Sequence, residues 1–297
     1  MADKNILHMV TPLKHMSPFD VNMAVDAGYD AVIPYTNVTL DEITGLVQDA
    51  IFSRPPKIGA RTAMFIAGKN AIAALDMMEK AKKALVPPFG ISFFADPAGS
   101  FTTAAAMVAC VEKVLKDKRQ RGLKGLKIAT FGATGVVGFS ASVIAALEGA
   151  DVTLVGYDGI KRVADAADEI KARFKVEVRA ADGSDDAKKA EILQGAEAVL
   201  AAGRAGARIL TKDQVAAAKS LLVVADVNAV PPAGIEGLDV MANGEAVNGG
   251  PLGVGALAIG NIKYKTEFGL FQKMIGAAKP VQLDFRDAFA FARELHG

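Results

Sequence analysis

Short apolar runs alternate along this chain with longer stretches in which apolar residues return every three or four positions. The short runs have the length of buried strands, and the longer stretches have the period of helices packed on one face. In the first part, Ile6-Leu7-His8-Met9-Val10, Ala31-Val32-Ile33-Pro34-Tyr35, Ala63-Met64-Phe65-Ile66-Ala67 and Ile91-Ser92-Phe93-Phe94 predict four strands. Between them, Ser17 as cap and Pro18 at the first helical position predict a helix to Ala27. Thr39 and Glu42 form a capping box for a helix ending near Phe52. Further helices are predicted from Asn70 to Leu85 and from about Phe101 to Lys116, and Pro55-Pro56 and Pro87-Pro88 break the chain between elements. Repeated strand–helix units predict a parallel sheet with helices on its faces.

The same rhythm resumes after a basic segment, Lys116 to Lys127, that contains Gly122 and Gly125 and reads as a linker. Strands are expected at Lys127–Phe131, 152–155, 176–178, 198–201 and 221–225, with helices at 135–147, 160–173, 185–193 and 211–218. Five strands with alternating helices make a doubly wound unit. The run Gly249-Gly250-Pro251-Leu252-Gly253-Val254-Gly255 has too many glycines for a helix and reads as a loop. From Tyr264 to Glu294 the pattern is mostly helical, divided by Pro280, and the last helix is expected to cross back to the first domain. The fold class is α/β: a Rossmann-type doubly wound parallel sheet over 119–264, plus a second α/β substrate domain built from 1–118 and 265–297, with a cleft between them.

Chemistry concentrates where the strand Lys127–Phe131 ends. There Gly132-Ala133-Thr134-Gly135-Val136-Val137-Gly138 leads into a helix. Strand, glycine-rich turn and helix N-terminus bring backbone N–H groups together at one point, which suits a pyrophosphate. Gly132 permits the turn, Gly135 admits the phosphates, and Gly138 lets helix and strand pack closely. The spacing is GxxGxxG, a variant of the dinucleotide fingerprint, and a turn that binds nothing is the bland alternative. The next strand ends at Tyr157 and Asp158, followed by Lys161 and Arg162. An acid there accepts the ribose hydroxyls of NAD, and a base pairs with the 2′-phosphate of NADP. The position reads as NAD-accepting with NADP also open, while Lys161 and Arg162 also fit a plain solvated helix face. Gly203, Asp226 and Asn228, at the ends of later strands, complete the expected dinucleotide set.

Substrate is expected at strand carboxyl ends. Three polar loops qualify: Asp96 to Thr103, Asp226-Val227-Asn228 with Pro231-Pro232, and a loop holding Asn261 and Lys263. The hydroxyls of the first could equally be helix caps. Periodicity alone makes Lys263 a surface lysine.

Composition narrows the classes. A chain of 297 residues, 51% apolar, can bury two cores. A formal net charge of +1 without a basic stripe argues against nucleic acid. The lone Cys110, in an apolar helical pattern, rules out a disulfide framework and reads as a packing residue. His8, His15 and His296 lack metal-ligand spacing, so no metal is expected. Neither a signal peptide nor a membrane-length apolar run is read in the sequence, which points to the cytoplasm.

Three runs together resemble a known family: 99–106 (GSFTTAAA), 224–232 (VADVNAVPP) and 255–263 (GALAIGNIK). Their order and spacing are similar to those of the NAD(P)-dependent methylene-tetrahydromethanopterin dehydrogenases of methylotrophic bacteria, over nearly the whole chain. Length and start look most similar to the branch using both NAD and NADP. The NADP-only branch carries Arg where Tyr157 stands, a departure that supports dual use. The resemblance implies a pterin, tetrahydromethanopterin, bound as the one-carbon carrier in the interdomain cleft of a homo-oligomer. It implies that the family's cleft lysine falls on Lys263, and other cleft residues on Asp20, Asp96, Ser100, Thr102 and Thr103. It further implies hydride transfer from the methylene adduct to NAD or NADP in formaldehyde oxidation. That step moves no proton, which agrees with the lack of a His or Cys base. The rivals are a shikimate-type dehydrogenase, with Lys14 or Lys69 beside Asp96 as an acid–base pair, and a methylene-tetrahydrofolate dehydrogenase. A dinucleotide-binding sensor is the non-enzyme alternative.

Overall fold

A computed structural model describes residues 3–296. The chain forms two compact units, one comprising the residues up to Thr102 together with Tyr264–Phe291, the other Thr103–Lys263 with the residues from Ala292 on. The first division falls inside a helix, upstream of the basic 116–127 segment.

The first unit runs β1 (Ile6–Val10), α1 (Pro18–Ala27), β2 (Ala31–Tyr35), α2 (Ile43–Phe52), β3 (Thr62–Ile66), α3 (Ala71–Lys83) and β4 (Ser92–Ala95), and then enters α4 (Ser100–Arg119). Local chemistry sets the boundaries. Ser17 Oγ accepts the Asp20 amide, Pro18 opens α1, and Gly28 closes it at φ 113°. Asn70 Oδ1 accepts the Ala73 amide at 2.9 Å and opens α3. β3 and β4 are buried throughout, as strands covered on both faces must be. The core centres on Phe65, Phe94 and Phe271, whose rings lie 5.4 Å apart pairwise. Each contributes roughly 1.5–3 kcal/mol by burial.

The second unit continues with β5 (Lys127–Phe131), α5 (Val136–Leu147), β6 (Asp151–Gly156), α6 (Lys161–Phe174), β7 (Arg179–Asp182), α7 (Asp186–Gly195), β8 (Ala198–Ala201), α8 (Lys212–Ala217), β9 (Val223–Asp226), β10 (Asn243–Ala246), β11 (Leu252–Val254) and α9 (Ala256–Gly276). Helix α9 carries the chain back into the first unit, where β12 (Gln282–Leu283) and most of α10 (Phe285–Glu294) follow, the end of α10 from Ala292 on belonging to the second unit.

Both sheets are parallel in their main bodies. The first has the order β12-β4-β3-β1-β2, and the second β10-β11-β9-β8-β5-β6-β7. From β7 to β11 the second sheet has the 3-2-1-4-5-6 order of a dinucleotide fold, with β10 added antiparallel on its edge.

Four local expectations are corrected. The glycine-rich run expected as a loop contains β11, which pairs parallel with β9. A Cβ at Gly253 would stand 2.5 Å from Leu238 Cδ1, so the strand passes there because the residue is glycine. Asn261 and Lys263, expected in a loop, lie on α9. The third Rossmann strand is Arg179–Asp182 rather than 176–178, because Lys175 ends α6 at φ 59° and the ladder with β6 begins at Thr153↔Arg179. The segment after Pro280 forms β12 on β4 before α10 begins. In addition, helical residues 97–119 are apolar and long enough to cross a membrane, but 83% of that window is buried inside the protein, so core packing accounts for its apolarity.

Candidate functional site

In the second unit the order of strands reverses between β5 and β8. Open α/β sheets bind ligands outside the carboxyl ends of strands at such a switch point. The glycine turn leaves β5 there. Gly132 has φ +76°, and a Cβ on it would lie 2.2 Å from the Ala202 carbonyl oxygen at the end of β8. A Cβ on Gly138 would lie 2.4 Å from the Gly132 oxygen. Only glycine lets these backbones approach so closely. Gly135 is the N-cap of α5, and no side chain caps the helix. The amides of its first turn therefore remain available to a phosphate, beside exposed Thr134 and half-buried Val136 and Val137. Ala133 is buried beneath the turn. A crevice of about 450 Å³ opens here, reaching Gly132, Gly135, Tyr157 and Gly203, a size that suits a small-molecule site.

At the end of β6 the structure separates the two bases. Lys161 turns along its helix to Asp165, at 3.1 Å. Arg162 instead donates to Tyr157 Oη and Asp158 Oδ2, both at 3.2 Å, and to Thr134 Oγ1 at 3.3 Å. Its guanidinium also lies 5.8 Å from the centre of the Tyr157 ring. Hydrogen bonding to Asp158, and then to Tyr157, pushes the Arg162 pKa upward. One side chain thus ties the acidic end of β6 to the glycine turn.

Asp226 and Asn228 shape the loop after β9. Asp226 is buried and accepts the amides of Asn228 and Ile235 at 2.9 and 3.1 Å. Burial raises its pKa, against the pull of those amides. Asn228 Oδ1 accepts the amides of Gly206 and Val230, and its Nδ2 donates to the Pro232 carbonyl. At Gly203 a Cβ would meet Ile209 Cδ1 at 2.6 Å.

In the first unit Asp96 is fully buried below the start of α4. Its Oδ1 accepts the amides of Phe101 and Thr102 at 2.7 and 3.3 Å, and its Oδ2 accepts the Thr102 hydroxyl at 2.5 Å. Asp96 therefore caps the helix that carries Ser100 and Thr102, both buried, and half-buried Thr103. Asp20 is buried in the first turn of α1. Lys263 is half-buried on α9.

Sequence reasoning missed two features. Glu267, four residues beyond Lys263 on α9, is fully buried, and the Lys–Glu spacing of four on a helix was its available signal. Lys189 and Arg204 line the dinucleotide crevice. Arg204 could have been found from its place between Gly203 and Gly206 at the end of a strand.

The family model for the N-terminal part of methylene-tetrahydromethanopterin dehydrogenase matches residues 18–98. The NAD(P)-dependent methylenetetrahydromethanopterin dehydrogenase of Methylorubrum extorquens is 54% identical over 295 residues, 99% of each chain. The bifunctional protein MdtA of the same organism is 37% identical over 94% of each. Among solved structures, quinate dehydrogenase from Corynebacterium glutamicum in complex with NAD superposes with a TM-score of 0.54 at 14% identity, covering 97% of this chain and 99% of that one, a likeness of fold. Identity above one half along essentially the full length places the chain in the family of NAD(P)-dependent methylenetetrahydromethanopterin dehydrogenases.

Proposed function

We propose that this protein oxidises methylene-tetrahydromethanopterin to the methenyl form, with NAD or NADP as acceptor, in one-carbon metabolism that begins from formaldehyde. The observation that carries the reading is the glycine crest 132–138, packed on Ala202 at the switch point of the second sheet. Action in the cytoplasm as a homo-oligomer belongs to the same proposal and is supported by the family resemblance alone.

The crest fits a dinucleotide: its close backbone contacts exclude side chains, and α5 offers an uncapped N-terminus. Bound NAD or NADP supplies the hydride acceptor, C4 of the nicotinamide. The chain's own work is positioning. Gly132 to Gly138 hold the pyrophosphate, Asp158 takes the adenosine ribose hydroxyls, and Arg162 takes a 2′-phosphate when one is present. Asp226 and Asn228 act through the loop they brace, and Gly203 lets that side of the crevice pack closely. Asp96 acts by fixing the first turn of α4, which presents Ser100 and Thr103 to the pterin, while the buried Thr102 serves through its hydroxyl bond to Asp96. Asp20 offsets the positive charge that develops on the methenyl product. An ammonium beside that forming cation would raise the barrier, so Lys263 is assigned to orient polar atoms of the pterin away from the reacting carbon. No proton transfer is required, and alignment of the reacting carbons can supply ~7–11 kcal/mol of barrier reduction.

Absorbance of the reduced nicotinamide tests the reading. Turnover with methylene-tetrahydromethanopterin and either dinucleotide is expected, and turnover only with a hydroxy acid such as shikimate would overturn it. Lys263→Ala is expected to lower pterin turnover by roughly the 10²-fold that misplacement costs, with dinucleotide affinity unchanged by calorimetry. Unchanged turnover would remove Lys263 from the site.

A further inference from the structure

The first unit has its own switch point. From β1 the chain passes to β2 on one side and then to β3 on the other, so a crevice is expected at the carboxyl ends of β1 and β3. Helix α1 starts from that edge, and its first turn carries Phe19 next to Asp20. Phe19 is 48% exposed, an unusual state for a large aromatic side chain beside the buried Asp20. It is not alone. Tyr264, 47% exposed, meets it edge to face with ring centres 6.4 Å apart and planes at 83°. Phe268, one turn further along α9, lies parallel to Tyr264 at 8° and 6.4 Å. Three rings from two helices thus form an aromatic ridge at the ligand-binding edge of this sheet, beside buried Asp20.

We infer that this ridge is the stacking platform for the bicyclic ring of the pterin, with Phe19 and Tyr264 as the contacting faces. The inference rests on the function proposed above. A flat, electron-rich heterocycle of two fused rings matches an exposed surface of two or three rings, because π-faces stack with little regard to the ligand's hydrogen-bonding edge. That leaves the edge of the pterin to polar groups such as Asp20. Aromatic residues clustered at a solvent-facing edge are also what a binding surface leaves exposed.

Phe19→Leu and Tyr264→Leu test the assignment, since each keeps apolar bulk and removes the π-face. Each is expected to raise KM for methylene-tetrahydromethanopterin by roughly five- to a hundred-fold, the range found when a stacked ring is removed. KM for NAD should stay within about twofold, a change of less than half a kcal/mol. Tyr264→Phe should retain the wild-type value. Calorimetric titration with the methenyl product, without dinucleotide, should show the same weakening in both leucine variants. Unchanged pterin binding in both variants would overturn the inference. So would a raised KM for NAD alone, or a change of sedimenting mass accompanying the kinetic loss, which would make the ridge a contact between copies. Should a leucine variant fail to fold by circular dichroism, Phe19→Tyr and Tyr264→Trp keep a π-face and decide the matter. Retained pterin affinity in that pair supports the platform, and its loss in folded protein overturns it. Absence of pterin turnover by the wild-type protein would instead sink the underlying function, so the two failures are distinguishable.

Discussion

Gly132 shows how little freedom a single position can have. Its φ of +76° disfavours any side chain, and the Ala202 oxygen 2.2 Å from an added Cβ forbids one sterically. Gly132→Ala is expected to cost about 1–3 kcal/mol of stability, the range for enforced backbone strain. Dinucleotide affinity should fall by more than tenfold, the factor that about 1.4 kcal/mol makes. Thermal melting and calorimetry on the same variant check both. Arg162 is a different kind of residue, because its guanidinium is shared among Tyr157, Asp158 and Thr134. A charge-assisted hydrogen bond is worth about 1.5–3 kcal/mol. Arg162→Leu should therefore raise KM for NADP by roughly ten- to a hundred-fold and leave NAD within threefold. Equal losses for both dinucleotides would mean that the arginine serves only the glycine turn. The glycines and Arg162 were legible in the sequence because their chemistry is local. That Lys161 pairs with Asp165 while Arg162 turns to Tyr157, Asp158 and Thr134 was not, because two adjacent bases on a helix differ only in the direction they face.

Elements were legible where one signal dictates them. Ser17-Pro18 opens α1 and Asn70 opens α3, as read from the sequence, whereas the Gly28 that closes α1 was not singled out there. β11 was not legible, because nothing in a glycine-rich run favours a strand until β9 offers it a partner and the packed Leu238 and Val247 demand a residue without a side chain. The start of α9 at Ala256 was hidden for a similar reason, since its entry is fixed by backbone bonds from Gly255 and Leu257 to Ala242 and Val240. At the end of β7, Asp182 receives the Lys188 ammonium at 2.6 Å and the Ser184 amide at 2.9 Å. These bonds hold its pKa at about 2, below the ordinary 3.8. The folded state therefore binds this proton more weakly than the unfolded chain does. The resulting stability is whole above the unfolded value and is lost as pH falls through about 2. The melting difference between the wild type and Asp182→Asn should be present at neutral pH and should close by about pH 2. A difference independent of pH would show that geometry rather than charge is at stake. Both side chains remain partly open to solvent, so the effect will be small.

At the scale of the whole molecule, the first unit is discontinuous in sequence. Its fifth strand, β12, and the Phe271 ring in the middle of its core both arrive after the entire second sheet. A chain ending at Lys263 is expected to lose amide-exchange protection in β1 to β4, whereas β5 to β9 keep theirs. Equal protection in both sheets would show that the first sheet holds together without its last strand. The sequence made this return visible through the helical pattern after Tyr264, although the strand between Pro280 and α10 lay below the length that periodicity can detect.

The same discontinuity has a consequence for biosynthesis. Four strands leave the ribosome with β4 as a bare edge and with no Phe271 ring to pack against Phe65 and Phe94. They must wait in that condition while every residue of the second sheet is translated. Nascent domains ordinarily fold in the order they emerge, but here the sheet that emerges first is the one completed last. An unpaired strand edge of that kind is an invitation to aggregate. A stop codon just before Phe271 would thus be as ruinous to the beginning of this protein as one near its start, and a folded first sheet certifies that translation has passed β12.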